Sequence, residues 1–424
     1  MKDPDSSLPL DSDGSLAPVI VLKLHHGSLG IARSLGRLGV PLYALHATLD
    51  TPAALSRFWK ACFKWDIELA APQQSVEYLL SLGRDLRRPA ILIPVSDRSA
   101  EFLASQAPAL RGHFLFPAVS PDLVTRLTSK KEMYFLAKEL GIPTPETLFP
   151  QAREDVLAFM DGATFPVMLK GIDGMALKAR TGRTMAIVHN RAELLDQYDR
   201  LEDPKKPNLM IQEYIPGGED SVWMFNGYFN ADSECLAAFT GRKIRQSPVY
   251  TGATSLGICL RNDEVDRTTR RFMKAVGYRG ILDIGYRYDA RDGRYKVLDV
   301  NPRIGSSFRL FVDGAGHDVA RALYRDLTGR AVPLQGSSEG RKWIVEDQDI
   351  ESSYKYWRDG KLGFRTWLTS FRGLQEGAWF ARDDLRPFWA MCQRLLRGII
   401  RSRIARLGRA LRGEAVVGAW SPPR

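Results

Sequence analysis

The sequence predicts an α/β protein with an open parallel α/β domain at its amino terminus, an α+β region after it and a basic helical tail. Short apolar runs alternate with helical segments up to about residue 120. Strand pairs joined by turns follow, and the last forty residues carry an arginine-rich amphipathic pattern. The 424 residues, 44% of them hydrophobic and 26% charged, suit an ordinary globular protein of two or three domains.

The amino-terminal domain is predicted from a strand–helix–strand unit. The run Val19–Leu24 is typical of a buried strand, His25–Gly30 of a turn and Ile31–Leu38 of a short amphipathic helix. A second strand, Leu42–Leu45, completes the unit, and this order is typical of a parallel sheet.

Two loops of this domain are candidates for ligand binding, because open parallel sheets bind ligands at the carboxyl ends of their strands. One loop contains His25, Gly27 and Gly30, and the other follows the strand Ala90–Val95 and contains Asp97. The alternative for both is turn chemistry and helix capping, for which Asp97 is suited. The glycines do not form a complete GxGxxG pattern, so a dinucleotide site is not predicted.

The segment Tyr295–Arg303 is the most informative part of the chain. It predicts a buried strand in which Asp299 and Asn301, two residues apart, lie on the same face. Carboxylate and amide oxygens on one face suit a hard cation such as Mg²⁺. Arg303, placed after the strand-ending Pro302, adds a guanidinium that binds phosphate in bidentate fashion. These residues indicate a nucleotide phosphate site, and the alternative is a strand end with a polar turn.

Other motifs lie upstream of that strand. Ser129 is a candidate cap for a helix that stops at Gly141. The strand Phe165–Lys170 ends in a lysine, whose burial is costly without an anionic partner. The run Leu209–Glu219 is a strand leading into a turn. The strand Gly280–Tyr288 is joined by a hairpin turn to the strand that carries Asp299.

Composition excludes several classes of protein. The four cysteines lie far apart without CxxC spacing, which argues against a zinc site or a disulfide framework and favours a reducing compartment. The first residues are polar and lack the apolar core of a signal peptide. No apolar run reaches the roughly 20 residues that span a bilayer. No Ser-His-Asp or Cys-His arrangement stands out, and a cytoplasmic location is expected.

The carboxyl-terminal tail holds most of the excess positive charge. The chain has a net charge of +11, and residues 381–424 contribute ten arginines against three acids. From Trp389 to Leu411, apolar residues recur at steps of three and four, which predicts an amphipathic helix. Three roles stay open for residues 385–412: peripheral contact with the inner membrane surface, packing on the body or on another subunit of an oligomer, and nucleic-acid binding. The absence of a nucleic-acid motif disfavours the third role.

In the order of its motifs, the chain resembles the ATP-grasp superfamily over residues 19–345, and within it the carboxylate–amine ligases, including the D-aspartate ligase branch. The segments Lys342–Asp349 and Tyr354–Leu362 are similar to the end of that branch. The resemblance implies two lobes with ATP between them. The expected division is a disordered leader (1–17), a pre-ATP-grasp domain (18–125), a first lobe (126–207), a second lobe (208–345), a substrate-side segment (346–380) and the tail (381–424).

The resemblance assigns nucleotide contacts to individual residues. Lys130, or its neighbour Lys131, and Lys170 are expected to bind phosphate. Glu219 matches the acid that accepts hydrogen bonds from the ribose hydroxyls. The backbone of the hinge between the lobes is expected to pair with adenine, and its residues are Gln212, Glu213, Tyr214 and Ile215.

The metal and catalytic positions are also implied by the resemblance. Asp283, Asp299 and Asn301 are expected to hold one or two Mg²⁺ ions, or Mn²⁺, on ATP. Many relatives carry Glu or Gln at the first of these positions and Glu at the second, so the number of ions stays open. Arg303 is expected to hold the γ-phosphate, and Arg242 to be a second phosphate arginine. Lys243 and Arg245 are less favoured for that second role.

The cover of the phosphates departs from the family pattern. Many relatives have a loop rich in glycine and serine after the second lysine. Here the segment Gly171–Thr184 has three glycines together with Lys178, Arg180 and Arg183. Cover by side-chain cations and a disordered lid are both open.

The implied reaction is ATP-dependent ligation of a small carboxylic acid to an amine, with an amino acid as the expected substrate. The acid forms an acyl phosphate, from which the amine displaces phosphate. The segment Ser306–Arg309 is expected to border the acyl phosphate, and Glu346, Asp347 and Asp349 to bind an ammonium group or to be solvated surface. The alternatives are a ligase that forms carboxyphosphate, as biotin carboxylase and carbamoyl phosphate synthase do, and a non-catalytic ATP-binding protein.

Overall fold

The structure is a computed structural model that describes residues 16–411, apart from residues 87, 334, 335 and 337, with side chains described as far as residue 401. The leader expected at residues 1–17 therefore falls almost wholly outside the described residues, as does the end of the tail beyond residue 411. Three sheets of five, four and seven strands organise the described chain.

The first sheet is parallel throughout, in the order β3-β2-β1-β4-β5. This arrangement confirms the predicted open parallel α/β domain, in which apolar strands are buried beneath helices. Its strands are β1 (Val19–Val21), β2 (Leu42–His46), β3 (Trp59–Lys64), β4 (Ala90–Ile93) and β5 (Phe114–Leu115). Its helices are α1 (His26–Gly36), the 3₁₀ turn η1 (Pro52–Leu55), α2 (Pro72–Leu86), α3 (Asp97–Ser105), α4 (Ala107–Leu110) and α5 (Pro121–Thr128).

Two expectations about the first sheet's loops are wrong in detail. Residues His25–Gly30 do not form a turn, because α1 begins at His26, and the imidazole Nδ1 of His25 accepts a hydrogen bond from the Gly27 N–H at 2.8 Å. The histidine nitrogen caps the helix, a role that a Ser, Thr, Asp or Asn side chain usually takes. Ser96, rather than Asp97, caps α3, and its hydroxyl accepts from the backbone of Ser99.

The second sheet is antiparallel and small, in the order β6-β9-β7-β8. Its strands are β6 (Thr147–Leu148), β7 (Val167–Gly171), β8 (Met185–Val188) and β9 (Leu209–Glu213). Three helices accompany it: α7 (Arg153–Gly162), α8 (Gly174–Thr181) and α9 (Arg191–Leu201). The helix before them, α6 (Lys130–Glu139), instead packs into the core of the third sheet. Ser129 caps α6 through the Glu132 N–H, as predicted. The sheet has its own apolar core, which includes Leu169, Leu194 and Ile211.

The third sheet has seven strands in the order β14-β13-β10-β11-β12-β15-β16. Its strands are β10 (Val222–Phe229), β11 (Cys235–Ser247), β12 (Ala253–Cys259), β13 (Gly280–Asp289), β14 (Arg294–Asn301), β15 (Lys342–Ile344) and β16 (Leu374–Gly377). Its helical segments are η2 (Glu219–Ser221), α10 (Asp263–Ala275), η3 (Phe308–Leu310), α11 (Val319–Leu327), α12 (Glu346–Arg358), α13 (Phe364–Ser370) and α14 (Arg386–Leu411). Strands β13 and β14 form the predicted hairpin.

The first and third sheets share one hydrophobic core. Buried side chains of β1 and α1, such as Val21 and Leu29, belong to the same cluster as Tyr228 of β10 and Leu323 of α11. The carboxyl end of the first sheet is therefore held against the seven-stranded sheet. The small sheet, which has a separate core, faces the seven-stranded sheet across a cavity.

Candidate active site

A cavity of about 420 Å³ lies between the four-stranded and seven-stranded sheets. Its walls come from β7 and β9 on one side and from β10, β11, β13 and β14 on the other. The residues expected to bind a nucleotide, a metal ion or phosphate that line it are Lys130, Lys170, Gln212, Glu213, Tyr214, Ile215, Asp283, Asp299, Asn301 and Arg303. Residues more than a hundred positions apart in the chain thus converge on one space.

Lys170 reaches the cavity from the end of β7. Its ammonium donates a hydrogen bond to the side-chain oxygen of Gln212 on the neighbouring strand β9, at 2.7 Å. Burial and, to a smaller extent, the nearby charge of Lys130 together lower the pKa of Lys170 to about 8. The hydrogen-bond partner is neutral, so the buried positive charge favours an anionic ligand.

Lys130 is the first residue of α6 and lies beside Lys170. Its ammonium donates to the carbonyl of Ile172 at 2.9 Å. Burial lowers its pKa, and the carboxylates of Asp299, Asp173 and Asp97 oppose that shift. Lys131, the other lysine considered for this position, instead lies 5.9 Å from the centre of the Phe149 ring. Of the two lysines, it is Lys130 that lines the cavity.

The hinge residues are the last two residues of β9, Gln212 and Glu213, and the two residues that follow the strand, Tyr214 and Ile215. The Glu213 N–H donates to the Glu146 carbonyl at 2.8 Å. The carboxylate of Glu213 pairs with Lys296 at 3.2 Å and with Arg291 at 2.5 Å. These contacts tie the hinge to the β13–β14 hairpin, which leaves the following segment, Tyr214 and Ile215, along the cavity wall.

Glu219 lies at the edge of the cavity, where two donors hold its carboxylate. The Tyr356 hydroxyl donates to one oxygen at 2.7 Å, and the side-chain amide of Gln246 donates to the other. Gln246 itself lines the cavity. Sequence reasoning missed both donors, and no pattern pointed to Tyr356, which lies 137 positions away from Glu219.

The three candidate metal ligands face the same side of the β13–β14 hairpin. Asp283 is directly opposite Asn301 in the strand register, and the Asn301 amide donates to Asp299 at 3.1 Å. A Cβ atom at Gly305 would lie 2.5 Å from the Asp283 carboxyl carbon, so a glycine there makes room for this side chain. The expected period-two arrangement of Asp299 and Asn301 is therefore present.

The electrostatics of this group suit a divalent cation. Burial, together with the charge of Asp299 and against the opposing charge of Arg303, raises the pKa of Asp283 to about 6. Among the described residues no cluster of three or more His, Cys, Asp or Glu side chains suited to a metal ion is found. The two carboxylates and the Asn301 oxygen make a partial set of hard oxygen ligands. Such a set fits Mg²⁺, which takes its remaining ligands from phosphate and water.

Arg303 connects this group to the first sheet. Its guanidinium donates to the carboxylate of Asp97 at 2.9 Å and to the side-chain oxygen of Asn301 at 3.0 Å. Asp97 stands at the start of α3, so a residue of the amino-terminal domain orients an arginine of the cavity.

Arg242 was expected to be a second phosphate arginine, but it does not line the cavity. Its neighbour Lys243 does. Adjacent residues of a strand point to opposite faces, and the cavity takes the face of β11 that carries Lys243. The Lys243 ammonium donates to the Gly252 carbonyl at 2.9 Å. Burial lowers its pKa against the opposing charges of Asp299 and Asp283.

Arg245 and the acidic group near residue 346 have structural partners, so the expected ammonium site is not formed. Arg245 makes a buried ion pair with Asp349 at 2.7 Å. Glu346 accepts hydrogen bonds from the backbone N–H groups of Trp379 and Phe380, and its burial raises its pKa.

Asp347, the third member of the acidic group, accepts from the Trp379 indole at 2.9 Å. These acids hold the segment that follows β16 on the body of the protein. The cluster of acidic residues in the sequence did not indicate that each acid has a different partner.

The segment Ser306–Arg309 only partly borders the cavity. Ser306 and Ser307 line it, whereas Phe308 is fully buried in the core. Arg309 pairs with Glu376 at 2.7 Å and with Asp318. A Cβ atom at Gly27 would lie 2.8 Å from the Ser306 Cα, so the start of α1 is in close contact with the cavity rim.

The segment Gly171–Thr184 is neither a glycine-rich loop nor a row of cations over the phosphates. Its centre forms the helix α8, capped by Asp173, and Arg180 donates to the Leu201 carbonyl of α9. Arg180 and Arg183 border a second cavity beside α9, away from Lys170.

Fold and cavity together agree with the resemblance: the chain has the fold of the ATP-grasp superfamily, as its sequence predicts. No family model matches the sequence. The chain is similar to D-aspartate ligase of Enterococcus faecium, with 25% identity over 264 residues. The match covers 59% of this chain and 62% of that ligase, so the chain spans less than two thirds of this relative's length.

Other relatives agree on the fold. The carbamoyl phosphate synthase large chain of Ralstonia nicotianae is 21% identical over 254 residues, which cover 55% of this chain and 21% of that protein. L-amino acid ligase from Bacillus licheniformis superposes with a TM-score of 0.55 at 14% identity, covering 75% of each chain. The ADP complex of N5-carboxyaminoimidazole ribonucleotide synthetase gives 0.59 at 12% identity and covers 81% of this chain and 86% of that one.

Proposed function

We propose that the protein is an ATP-dependent ligase that activates a carboxylate as an acyl phosphate and couples it to an amine, releasing ADP and phosphate. One observation carries the proposal: Lys130 and Lys170 face Asp283, Asp299 and Asn301 across a single cavity. Two buried amines opposite a set of oxygen ligands match a polyanion bound together with a divalent cation.

The proposed roles of the residues combine their positions in the cavity with the roles that the family resemblance implies. Lys130 and Lys170 bind phosphate oxygens, the backbone of Gln212–Ile215 binds adenine, and Glu219 accepts from the ribose hydroxyls. Asp283, Asp299 and Asn301 hold Mg²⁺, which neutralises phosphate charge when it is bound.

Phosphoryl transfer in this site rests on positioning and charge neutralisation. Arg303, held by Asp97, stabilises the negative charge that develops on the transferred phosphoryl group. Lys243 takes the role of the second cation that the sequence assigned to Arg242. Ser306 and the start of α1 border the place where the acid substrate meets that phosphoryl group.

The proposed substrates are a small organic acid and an amine, at least one of them an amino acid. The names of two relatives, D-aspartate ligase and L-amino acid ligase, support this class. We also propose the division of the chain into a pre-ATP-grasp domain at 18–125, lobes at 126–207 and 208–345, a substrate-side segment at 346–380 and the tail from residue 381.

The test is release of ADP and phosphate from ATP by the full chain with a panel of amino acids and small acids, offered singly and in pairs. We expect release to require both an acid and an amine. Asp299→Asn is expected to lower turnover by at least about a hundredfold, since charge-stabilising groups of this kind contribute several kcal/mol. Asp292→Asn, in the turn of the same hairpin but outside the cavity, is the matched control and is expected to retain turnover.

Three results contradict the proposal. Near-normal turnover of Asp299→Asn contradicts the site. Release that depends on bicarbonate and on no organic acid identifies the carboxyphosphate reaction instead. Binding of ATP without release for any acceptor identifies a non-catalytic protein.

A further inference from the structure

The surface of the last described helices is unusually apolar. The described residues include eighteen large hydrophobic side chains that are exposed, and eleven of them lie at or beyond residue 350. Four of these eleven form one stripe at the start of α14 and along it. They are Leu385, Trp389, Leu396 and Ile400, with exposures of 40%, 60%, 58% and 47%. Successive members are one or two helical turns apart, so they share a face.

A different face of α14 holds the helix on the protein. Met391 is 5% exposed and belongs to the core that the first and third sheets share. The Phe388 ring packs against Phe380, with ring centres 5.4 Å apart. The amphipathic helix that the sequence predicts therefore splits its apolar residues between two faces, and only one face is covered within the described chain.

The start of α14 is anchored rigidly. Asp384 is buried and accepts hydrogen bonds from the guanidinium of Arg33 at 3.1 Å, the hydroxyl of Ser56 at 2.7 Å and the backbone of Arg57 at 3.0 Å. The partners of Asp384 belong to the amino-terminal domain, and the side chains of the exposed stripe take no part in these contacts. The stripe therefore has a set orientation on the surface of the described chain.

Positive charge borders the stripe. Arg394, Arg397 and Arg401 are exposed on the adjoining face. The whole of α14, from Arg386 to Leu411, contains seven arginines and no acidic residue. An apolar stripe with a tryptophan, next to three exposed arginines on the adjoining face, is the pattern of a helix that lies in the plane of an anionic lipid surface.

We propose that α14 attaches the protein peripherally to an anionic lipid bilayer. Trp389, Leu396 and Ile400 enter the boundary between headgroups and acyl chains, and the arginines contact lipid phosphates. Among the described residues no helix combines the length and the apolar character needed to cross a bilayer, so the helix lies along the surface. This attachment does not depend on the proposed reaction.

Other occupants fit the surface less well. A second copy of α14 brings seven more positive charges against the first, and like charges at close range repel each other. Nucleic acid would use the arginines but leave the apolar stripe in water. An anionic bilayer satisfies both parts of the surface.

The experiment is co-sedimentation of the full chain with vesicles of phosphatidylcholine alone and with vesicles containing phosphatidylglycerol. We expect binding to the anionic vesicles that weakens as salt rises. The double variant Trp389→Gln/Leu396→Gln is expected to reduce that binding at least tenfold. Arg394→Gln/Arg397→Gln/Arg401→Gln is expected to remove the preference for anionic lipid. Unchanged thermal unfolding shows that each variant folds.

The matched control is Trp357→Gln. Trp357, on α12, is as exposed as Trp389, at 61% against 60%, but lies outside the stripe. We expect this control to bind vesicles normally. Equal loss with Trp357→Gln, equal binding to neutral vesicles, or self-association that disappears in the Trp389 variant each overturn the proposal. The experiment measures lipid binding, so a negative result would leave the test of the ligase reaction unaffected.

Discussion

At the residue scale, the cavity is a place where burial moves several ionisable groups away from their ordinary behaviour. The pKa values of Lys130, Lys170 and Lys243 are lowered, and that of Asp283 is raised. Each shift disfavours the charged form of its group in the free protein. A ligand that carries both negative phosphates and a metal cation would reverse these penalties, so the shifts support the proposed nucleotide site.

The two neighbouring lysines of α6 provide a test of the site at single-residue resolution. Lys130→Met removes an ammonium that lines the cavity, and we expect nucleotide affinity to fall about tenfold or more, a loss of about 1.4 kcal/mol. Lys131→Met removes an equal charge from the Phe149 side of the helix and is expected to leave affinity within about twofold. Calorimetric titration with Mg-ADP measures both, and equal losses would place the nucleotide elsewhere.

Lys170 predicts a dependence of nucleotide affinity on pH. Below its pKa of about 8 the amine is already protonated in the free protein. A bound phosphate raises that pKa, so above about pH 8 binding takes up a proton and affinity falls with rising pH. We expect constant affinity from about pH 6.5 to 7.5 and a fall approaching tenfold per unit above about pH 8.

The control for this prediction is Lys170→Arg, because a guanidinium stays charged through the whole range. Its affinity profile is expected to lose the decline above pH 8. A flat profile for the unmodified protein up to about pH 9.5 would show that Lys170 does not meet the nucleotide in its charged form.

At the element scale, α14 illustrates how a few buried contacts decide the position of a helix. Arg33 and Asp384 are each 1% exposed and pair at 3.1 Å. The sequence predicted the helix from its periodicity but not its anchor, because the two partners lie 351 positions apart. This anchor and Met391 determine which face of α14 packs on the body of the protein and which face points outward.

Removing one partner of that ion pair is expected to destabilise the protein strongly. Asp384→Ala leaves the Arg33 guanidinium buried without its carboxylate, and we expect a loss of about 3 kcal/mol or more in the free energy of unfolding. Asp383→Ala breaks the neighbouring pair with Arg37, whose partners are 34% and 43% exposed. That loss should stay below about 1 kcal/mol. Urea unfolding measures the difference, and similar losses would argue against a buried anchor.

The strands were predictable where one face is buried and the other is not. Alternation and a hairpin turn predicted β13 and β14, and with them the shared face of Asp299 and Asn301. The start of α1 was missed because histidine is an uncommon helix cap. The sequence pattern could not show whether Arg242 or Lys243 faces the cavity, because it does not indicate which face of β11 meets the cavity.

At the scale of the whole molecule, the cavity is completed by contact between layers that are distant in sequence. Asp97, at the start of α3, holds Arg303, which follows β14, and Tyr356 of α12 holds Glu219 at the edge of the cavity. The amino-terminal domain and the carboxyl-terminal segment therefore each position a residue of the two-lobed site.

The link between Asp97 and Arg303 can be tested separately from folding. Asp97→Ala frees Arg303 from one partner, and we expect kcat to fall about tenfold, equivalent to about 1.4 kcal/mol. The urea midpoint should move little, because Asp97 is 47% exposed. Glu101→Ala, on the same helix and in contact with Thr128 rather than Arg303, is the control that should keep kcat. An unchanged kcat for Asp97→Ala would contradict the positioning role.

The sequence by itself determined the fold class and the residues of the β13–β14 hairpin, because these depend on local periodicity and on turn chemistry. The order of its motifs added the resemblance to the ATP-grasp superfamily. Only the tertiary structure decided that Lys130 and Lys243 line the cavity, that Arg242 does not, and that α14 keeps one apolar face outward. These outcomes depend on which surfaces meet across hundreds of positions, where burial and charge pairing act through space and leave no local pattern in the chain.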